Sequence, residues 1–157
     1  MLSEDGKAVG IMTNGSTWNQ SDSAIRSYFI ENGLIECVIA LPARLFAGTA
    51  IATSMIVFSR NNKGVRLVDA SELFVEGRRV NELSYENISL IISATKNDSD
   101  ISMYVSAEQL RDNDYVLNMN RYIVHDVADG MAFGDVIKRI TRGAQLNAKA
   151  LDEITTT

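Results

Sequence analysis

The sequence predicts an α/β layered fold, and three observations carry that prediction. Short apolar runs alternate with a helical stripe in the order strand, loop, helix, strand. Two core-like runs, 34–42 and 50–60, are joined by a loop too short for a crossover helix, so they are expected to pair antiparallel. A fourth run, "VRLVDA" (65–70), follows the turn "NNKG". Together these predict a mostly parallel sheet with an antiparallel hairpin at one edge.

The elements follow in order. "KAVGIMT" (7–13) reads as a buried strand after the turn signal "EDG", and "NGSTWNQSD" (14–22) as a polar loop. Ser21 or Asp22 caps the next helix. Its apolar stripe is Ala24, Ile25, Tyr28 and Phe29, and Gly33 ends it. Beyond residue 70 the pattern becomes an irregular α+β extension. A polar loop leads to a helix from about Ser84, with Ile88, Ile91 and Ile92 inward. A strand is expected at 100–106. "SAEQ" (106–109) has capping-box spacing and opens a short helix, and 114–122 is irregular. "VHDVADG" (124–130) reads as a linker, and 131–143 as a helical stripe of Val136, Ile137 and Ile140 stopped by Gly143.

Composition excludes several classes. The chain has 157 residues, 46% hydrophobic and 22% charged, enough for one ordinary domain with a real core. No apolar stretch approaches the roughly 20 residues of a membrane helix. "MLSEDGKAVG" lacks the pattern of a signal peptide, and a lone Cys37 suits a reducing cytoplasm. Cys37 with a lone His125 makes no His/Cys metal site. The net charge of −5 is not that of a free-standing nucleic-acid binder. The acidic excess is confined to residues 65–120, ten acidic against five basic, a solvated or partner-facing surface. There is no Gly-x-Gly-x-x-Gly cradle, Walker motif or nucleophile elbow. Cys37 lies in an apolar strand and reads as structural; Arg78 and Arg79 read as a surface turn. No catalytic residue is assigned.

The order of pieces is more specific than any one of them. "DGKAVGIMTNG", "IRSYFIENGLIECVIALPARLFAGTAIATSMIVFSRN", "VRLVDASELFVEGRRVNEL" and "YVLNMNRY" follow one another over 5–122. This run resembles the C-terminal half of the catalytic domain of the DNA adenine methyltransferase (modification) subunit of type I restriction–modification systems. The resemblance implies a Rossmann-like S-adenosylmethionine-dependent fold in which 7–13, 34–42 and 50–60 are strands five to seven. Residues 1–123 would be the C-terminal part of that domain. The family's glycine-rich cofactor turn and Asn-Pro-Pro-aromatic motif would lie upstream, since the only proline, Pro42, follows Leu41. The resemblance thus places Met1 inside a family domain and makes the chain an expressed fragment or a truncated reading frame. It is expected to be inactive alone, to bind no cofactor itself, and to self-associate through an open strand edge.

The resemblance also implies a target-base wall. Phe46 falls where related enzymes stack an aromatic ring on the extruded adenine; the alternative is that it caps the hairpin and packs on the core. Pro42 would stiffen the start of the loop, and Gly48 and Thr49 would shape its return. Arg44 is either a phosphate contact or a solvated arginine. Trp18 occupies another loop at the same sheet edge, with packing its favoured role. The family pattern Gly-Thr-Gly-Ile-Pro appears here as "GTAIA", with Ala50 and Ala52 replacing glycine and proline. Residues 131–157 resemble the start of a target recognition domain of type I specificity subunits, or else form a docking helix. Lys138, Arg139 and Arg142 make that end basic. Implied partners are DNA, through the intact enzyme, a specificity subunit and a restriction subunit. Two other readings stand beside this one: a non-enzymatic assembly module that binds the specificity or restriction subunit through the acidic middle region, and a methyltransferase fragment acting on RNA or protein.

Overall fold

The computed structural model describes residues 3–122. The expectations for the 124–130 linker, His125 and the 131–157 tail lie outside them. The described elements are β1 (Ala8–Thr13), α1 (Ser23–Glu31), β2 (Ile35–Ala40), β3 (Thr53–Phe58), β4 (Gly64–Asp69), α2 (Tyr85–Ala94), β5 (Ser102–Ser106) and α3 (Ala107–Asp112). Short 3₁₀ turns occupy Asn14–Thr17, Gln20–Asp22 and Met119–Arg121.

The five strands form one sheet in the order β1-β3-β2-β4-β5. The antiparallel β2–β3 hairpin is present, but it is not an edge feature. β3 lies between β2 and β1 and runs antiparallel to both, with Ile11 opposite Met55 and Ile39 opposite Met55. Only β2 and β4 pair in parallel among the described strands. The expected mostly parallel sheet is therefore mixed. The loop between 41 and 52 is also longer than expected, because both of its strands are trimmed.

The central strands β2, β3 and β4 feed two cores, because successive side chains take opposite faces. One face joins Val38, Ile56, Val65, Leu67 and Val105 to Ile30 of α1, Leu110 of α3 and Met119. The other joins Cys37, Ile39, Leu41 and Val68 to Ile91 and Ala94 of α2. A bulge between Ile35 and Cys37 lets Ile35 and Val38 share the first face despite their odd spacing. Burial raises the Cys37 thiol to about 12, so it stays protonated and serves as core. Leu110 is fully buried. Leu110→Ala is expected to cost about 2–5 kcal/mol, measured by urea unfolding.

Local signals explain the helix ends. After α1 the Gly33 N–H donates to Ile30 O (2.9 Å) and the Leu34 N–H to Phe29 O (2.8 Å), a Schellman stop with Gly33 at φ 62°. A Cβ there would meet Asn62 O at 2.6 Å, so glycine is required twice over. Ser84 caps α2, accepting from Asn87 N at 3.1 Å. The capping box of α3 is complete: Ser106 Oγ accepts from Gln109 N (3.2 Å) and Gln109 Oε1 from Ser106 N (3.0 Å).

Two apolar stripes differ from expectation. In α1, Ala24, Ile25 and Tyr28 are exposed while Arg26 and Ile30 are buried. Asp22 sits at the cap position, but its side chain makes no capping bond to the helix backbone. The helix is rotated because Arg26 points inward to three backbone carbonyls. Ile25, Met12, Phe29 and Phe58 instead border an apolar cavity of about 260 Å³ beside β1. In α2, only Ile91 and Ala94 are buried, and Ile88 and Ile92 face outward.

Glu31 ties α1 to the α3 region. It accepts from Arg111 Nε (3.0 Å) and Nη2 (2.7 Å) and from Tyr115 Oη (2.8 Å). These bonds hold its carboxyl below the usual carboxylate range, the Arg111 bond most. A lowered folded pKa gives stability present above the unfolded value, about 4.3, and lost as pH falls through the folded one. The wild type is therefore expected to lose more stability than Glu31→Gln between about pH 5 and 3. Thermal melts across that range check this.

Candidate functional site

β1 and β2 both run antiparallel to β3, and β2 and β4 run parallel. The carboxyl ends of β1, β2 and β4 therefore share one end of the sheet, where open α/β sheets place ligands. Three loops leave that end: 14–22, 41–52 and 70–84.

The 41–52 loop is fixed at both ends. Leu41 N donates to Thr53 O (2.8 Å), and Asn14 N donates to Ala52 O (3.1 Å). Pro42 is fully buried at its start. Arg44 adopts the left-handed conformation, φ 57°, uncommon for a residue with a Cβ. Its carbonyl accepts from Asn81 N (2.8 Å), and that of Ala43 from Asn81 Nδ2 (2.9 Å). Leu45 packs on the Cys37–Ile39 core.

Phe46 begins the turn at the loop tip. Thr49 N approaches Phe46 O at 3.5 Å, and Gly48 has φ 87°, the geometry of a type II turn with glycine third. Thr49 Oγ1 accepts from Ile51 N (3.1 Å), turning the chain back toward β3. Phe46 is 39% exposed, an aromatic ring left partly in solvent.

Trp18 lies in the neighbouring 14–22 loop and is 52% exposed. Its loop is fastened chiefly to α1 and the 113–119 segment. Arg26 donates to Tyr115 O (2.9 Å), Ser16 O (3.1 Å) and Asn19 O (2.7 Å), and Leu117 N donates to Thr17 O (2.8 Å). Burial lowers the Arg26 pKa, and Asp22 opposes that shift. The two loops meet at Asn14, whose N–H donates to Ala52 O and whose Oδ1 accepts from Ser54 Oγ of β3 at 2.8 Å.

Arg44, Phe46, Thr49 and Trp18 thus lie on adjacent loops at one sheet end, the first three in one loop. Sequence reasoning missed their supports, Arg26 and Asn81. It also missed a half-polar cavity of about 100 Å³ where Asn14, Ser54, Asp69 and Asn118 face Val38 and Leu67, among others. Asp69 Oδ1 is engaged by Ser71 N (3.0 Å) and Oγ (2.6 Å). Two buried polar atoms lack a partner among the described residues, Thr53 Oγ1 and Asn81 Oδ1. Both belong to residues at the base of the Phe46 loop.

The fold and its loops define an α/β domain with an aromatic-tipped loop at the carboxyl end of β2 in a mixed sheet. The chain belongs to the N-6 DNA methylase family, whose family model matches residues 1–129. It is 28% identical over 130 residues to the type I restriction enzyme MpnII methylase subunit of Mycoplasma pneumoniae, covering 78% of this chain and 24% of that protein. It is 33% identical over 130 residues to the MjaVII methylase subunit of Methanocaldococcus jannaschii, covering 74% and 22%. The methyltransferase subunit of a type I restriction–modification system from Streptococcus thermophilus superposes with a TM-score of 0.73 at 32% identity. That match covers 78% of this chain and 28% of the other. The EcoKI M protein, at 12% identity and a TM-score of 0.58, shares the fold. The chain spans about a quarter of the length of the two relatives described here. No described helix is long and apolar enough to cross a membrane.

Proposed function

We propose that this chain forms the target-base side of a site-specific DNA adenine methyltransferase of a type I restriction–modification system. The observation that carries the reading is Phe46, half-exposed at the tip of a loop held by Pro42, Asn81 and the Gly48 turn. A flat apolar ring at the carboxyl end of the sheet suits an extruded base. In this reading β1, β2 and β3 are the fifth, sixth and seventh strands of a Rossmann-like sheet, and residues 1–123 are the C-terminal part of the catalytic domain.

The methyl donor of the parent is S-adenosylmethionine. The chain carries no glycine-rich cradle to hold it, and its residues support no chemical step on it. The donor site and the residues that act on the adenine amino group belong to the rest of the parent. The chain's own work is positional: Phe46 stacks, Thr49 and Gly48 set the turn, and Arg44 stands on the same loop for a phosphate. Partners are DNA, a specificity subunit and a restriction subunit, in the cytoplasm. The test is methylation and donor-binding assays on the 157-residue chain beside the full-length parent. The chain is expected to be inactive and the parent active; clear methyl transfer by the chain overturns the reading.

A second reading, an assembly module, draws on α2. Tyr85, Ile88 and Ile92 leave it apolar on its outer side. Capture of a specificity subunit that is lost in Ile88→Glu/Ile92→Glu would favour it.

A further inference from the structure

We infer that Asn81 is the positioning residue of the Phe46 loop, holding the bend from which the aromatic ring is presented. The inference rests on the reading of that loop as a target-base wall.

Asn81 reaches the loop across 38 positions of sequence and takes hold of two consecutive carbonyls. Its side-chain amide donates to Ala43 O (2.9 Å) and its backbone N–H to Arg44 O (2.8 Å). These carbonyls flank the left-handed Arg44, the conformation that bends the chain between Pro42 and Leu45. Without a partner, a residue with a Cβ drifts out of that conformation. Phe46 lies two residues on, so the direction of its ring depends on this bend.

The platform that delivers Asn81 is tied down by backbone bonds and by core packing. Val75 and Glu82 exchange backbone bonds of 2.8 and 2.9 Å. Within that hairpin Gly77 fits only as glycine, since a Cβ would meet Val80 O at 1.9 Å. Leu73 and Leu83 seat the segment on the Cys37–Ile39 core, the same cluster that holds Leu45.

The unpartnered Oδ1 is the telling detail. Asn81 is 6% exposed and its buried acceptor oxygen has no partner among the described residues. A residue serving only to fill space would be better apolar there. The amide is used on its donor side alone, toward the loop. Local rules broken in this way mark functional positions.

The experiment has two parts. On the 157-residue chain, trypsin cleavage after Arg44 reads the loop, and cleavage after Arg66 in β4 reads global unfolding. Asn81→Asp keeps the shape and removes the side-chain donor; Asn81→Ala removes both side-chain groups. Both are expected to speed cleavage after Arg44 at least tenfold, with cleavage after Arg66 unchanged. Unchanged cleavage after Arg44, or acceleration only in step with Arg66, overturns the inference.

In the full-length parent, 2-aminopurine at the target position reports stacking of the extruded base. Asn81→Asp is expected to raise its emission as Phe46→Ala does, and the double variant to equal Phe46→Ala alone. Additive increases in emission overturn the positioning role. If Asn81→Asp frees the loop but Phe46→Ala leaves the emission unchanged, the base-wall reading fails and the positioning of the loop by Asn81 stands.

Discussion

The isolated chain is expected to sediment as a dimer or larger species, and Ile11→Lys is expected to return it to a monomer. Among the described strands β1 is an edge of the sheet, and its partner β3 uses only half of its backbone groups. The Asn14 N–H bonds to Ala52 O, and the register runs unbroken from Thr13 to Ala8. By the two-residue period, Met12, Gly10 and Ala8 also bond toward β3. Val9, Ile11 and Thr13 therefore direct their N–H and C=O groups outward. The edge has no charge, proline or bulge to blunt it, and Val9 and Ile11 are 59% and 46% exposed. A two-fold antiparallel pairing centred on Ile11 sets Ile11 against Ile11 and Val9 against Thr13, with matched donors and acceptors. Ile11→Lys sets two ammonium groups face to face. Sedimentation at about 100 µM, a concentration at which exposed edges associate, checks both chains. A strictly monomeric wild type contradicts the expectation.

Phe46→Ala in the full-length parent is expected to lower kcat/KM for DNA on the order of 5- to 150-fold. That range is the fold-change of a stacking contribution of about 1–3 kcal/mol per base. Phe46→Tyr retains the ring face and is expected to keep most of the activity. Because the ring is already partly solvated, its truncation is expected to leave the thermal midpoint of the 157-residue chain nearly unchanged. An unaltered kcat/KM assigns Phe46 to hairpin packing instead.

What the sequence made legible follows from the range of the interactions. The SAEQ capping box, the Gly33 stop and the β2–β3 hairpin are decided within a few residues or by one short loop. The place of β3 between β1 and β2 is not, because a hairpin says nothing about which strand covers its outer side. Arg26 defeated the helix stripe because its three carbonyl partners, at Ser16, Asn19 and Tyr115, belong to loops whose meeting is a tertiary event. Ile88 and Ile92 carry the right period but the wrong phase, since Ile91 and Ala94 already fill the available core. The Phe46 loop announced itself through proline, arginine, phenylalanine and glycine crowded between two strands. Its brace did not: Asn81 sits in a polar stretch where nothing marks one asparagine above its neighbours.

Pro42 has a consequence for how such a domain can vary. The last ladder bond on this side of the hairpin is that of Leu41, and the next residue has no N–H to leave stranded. The chain therefore departs from the sheet with no donor broken off. The loop tip is expected to work as an interchangeable insert on a finished scaffold, with residues 46–51 exchangeable between relatives, ring and all, while Leu45 stays with the core beneath.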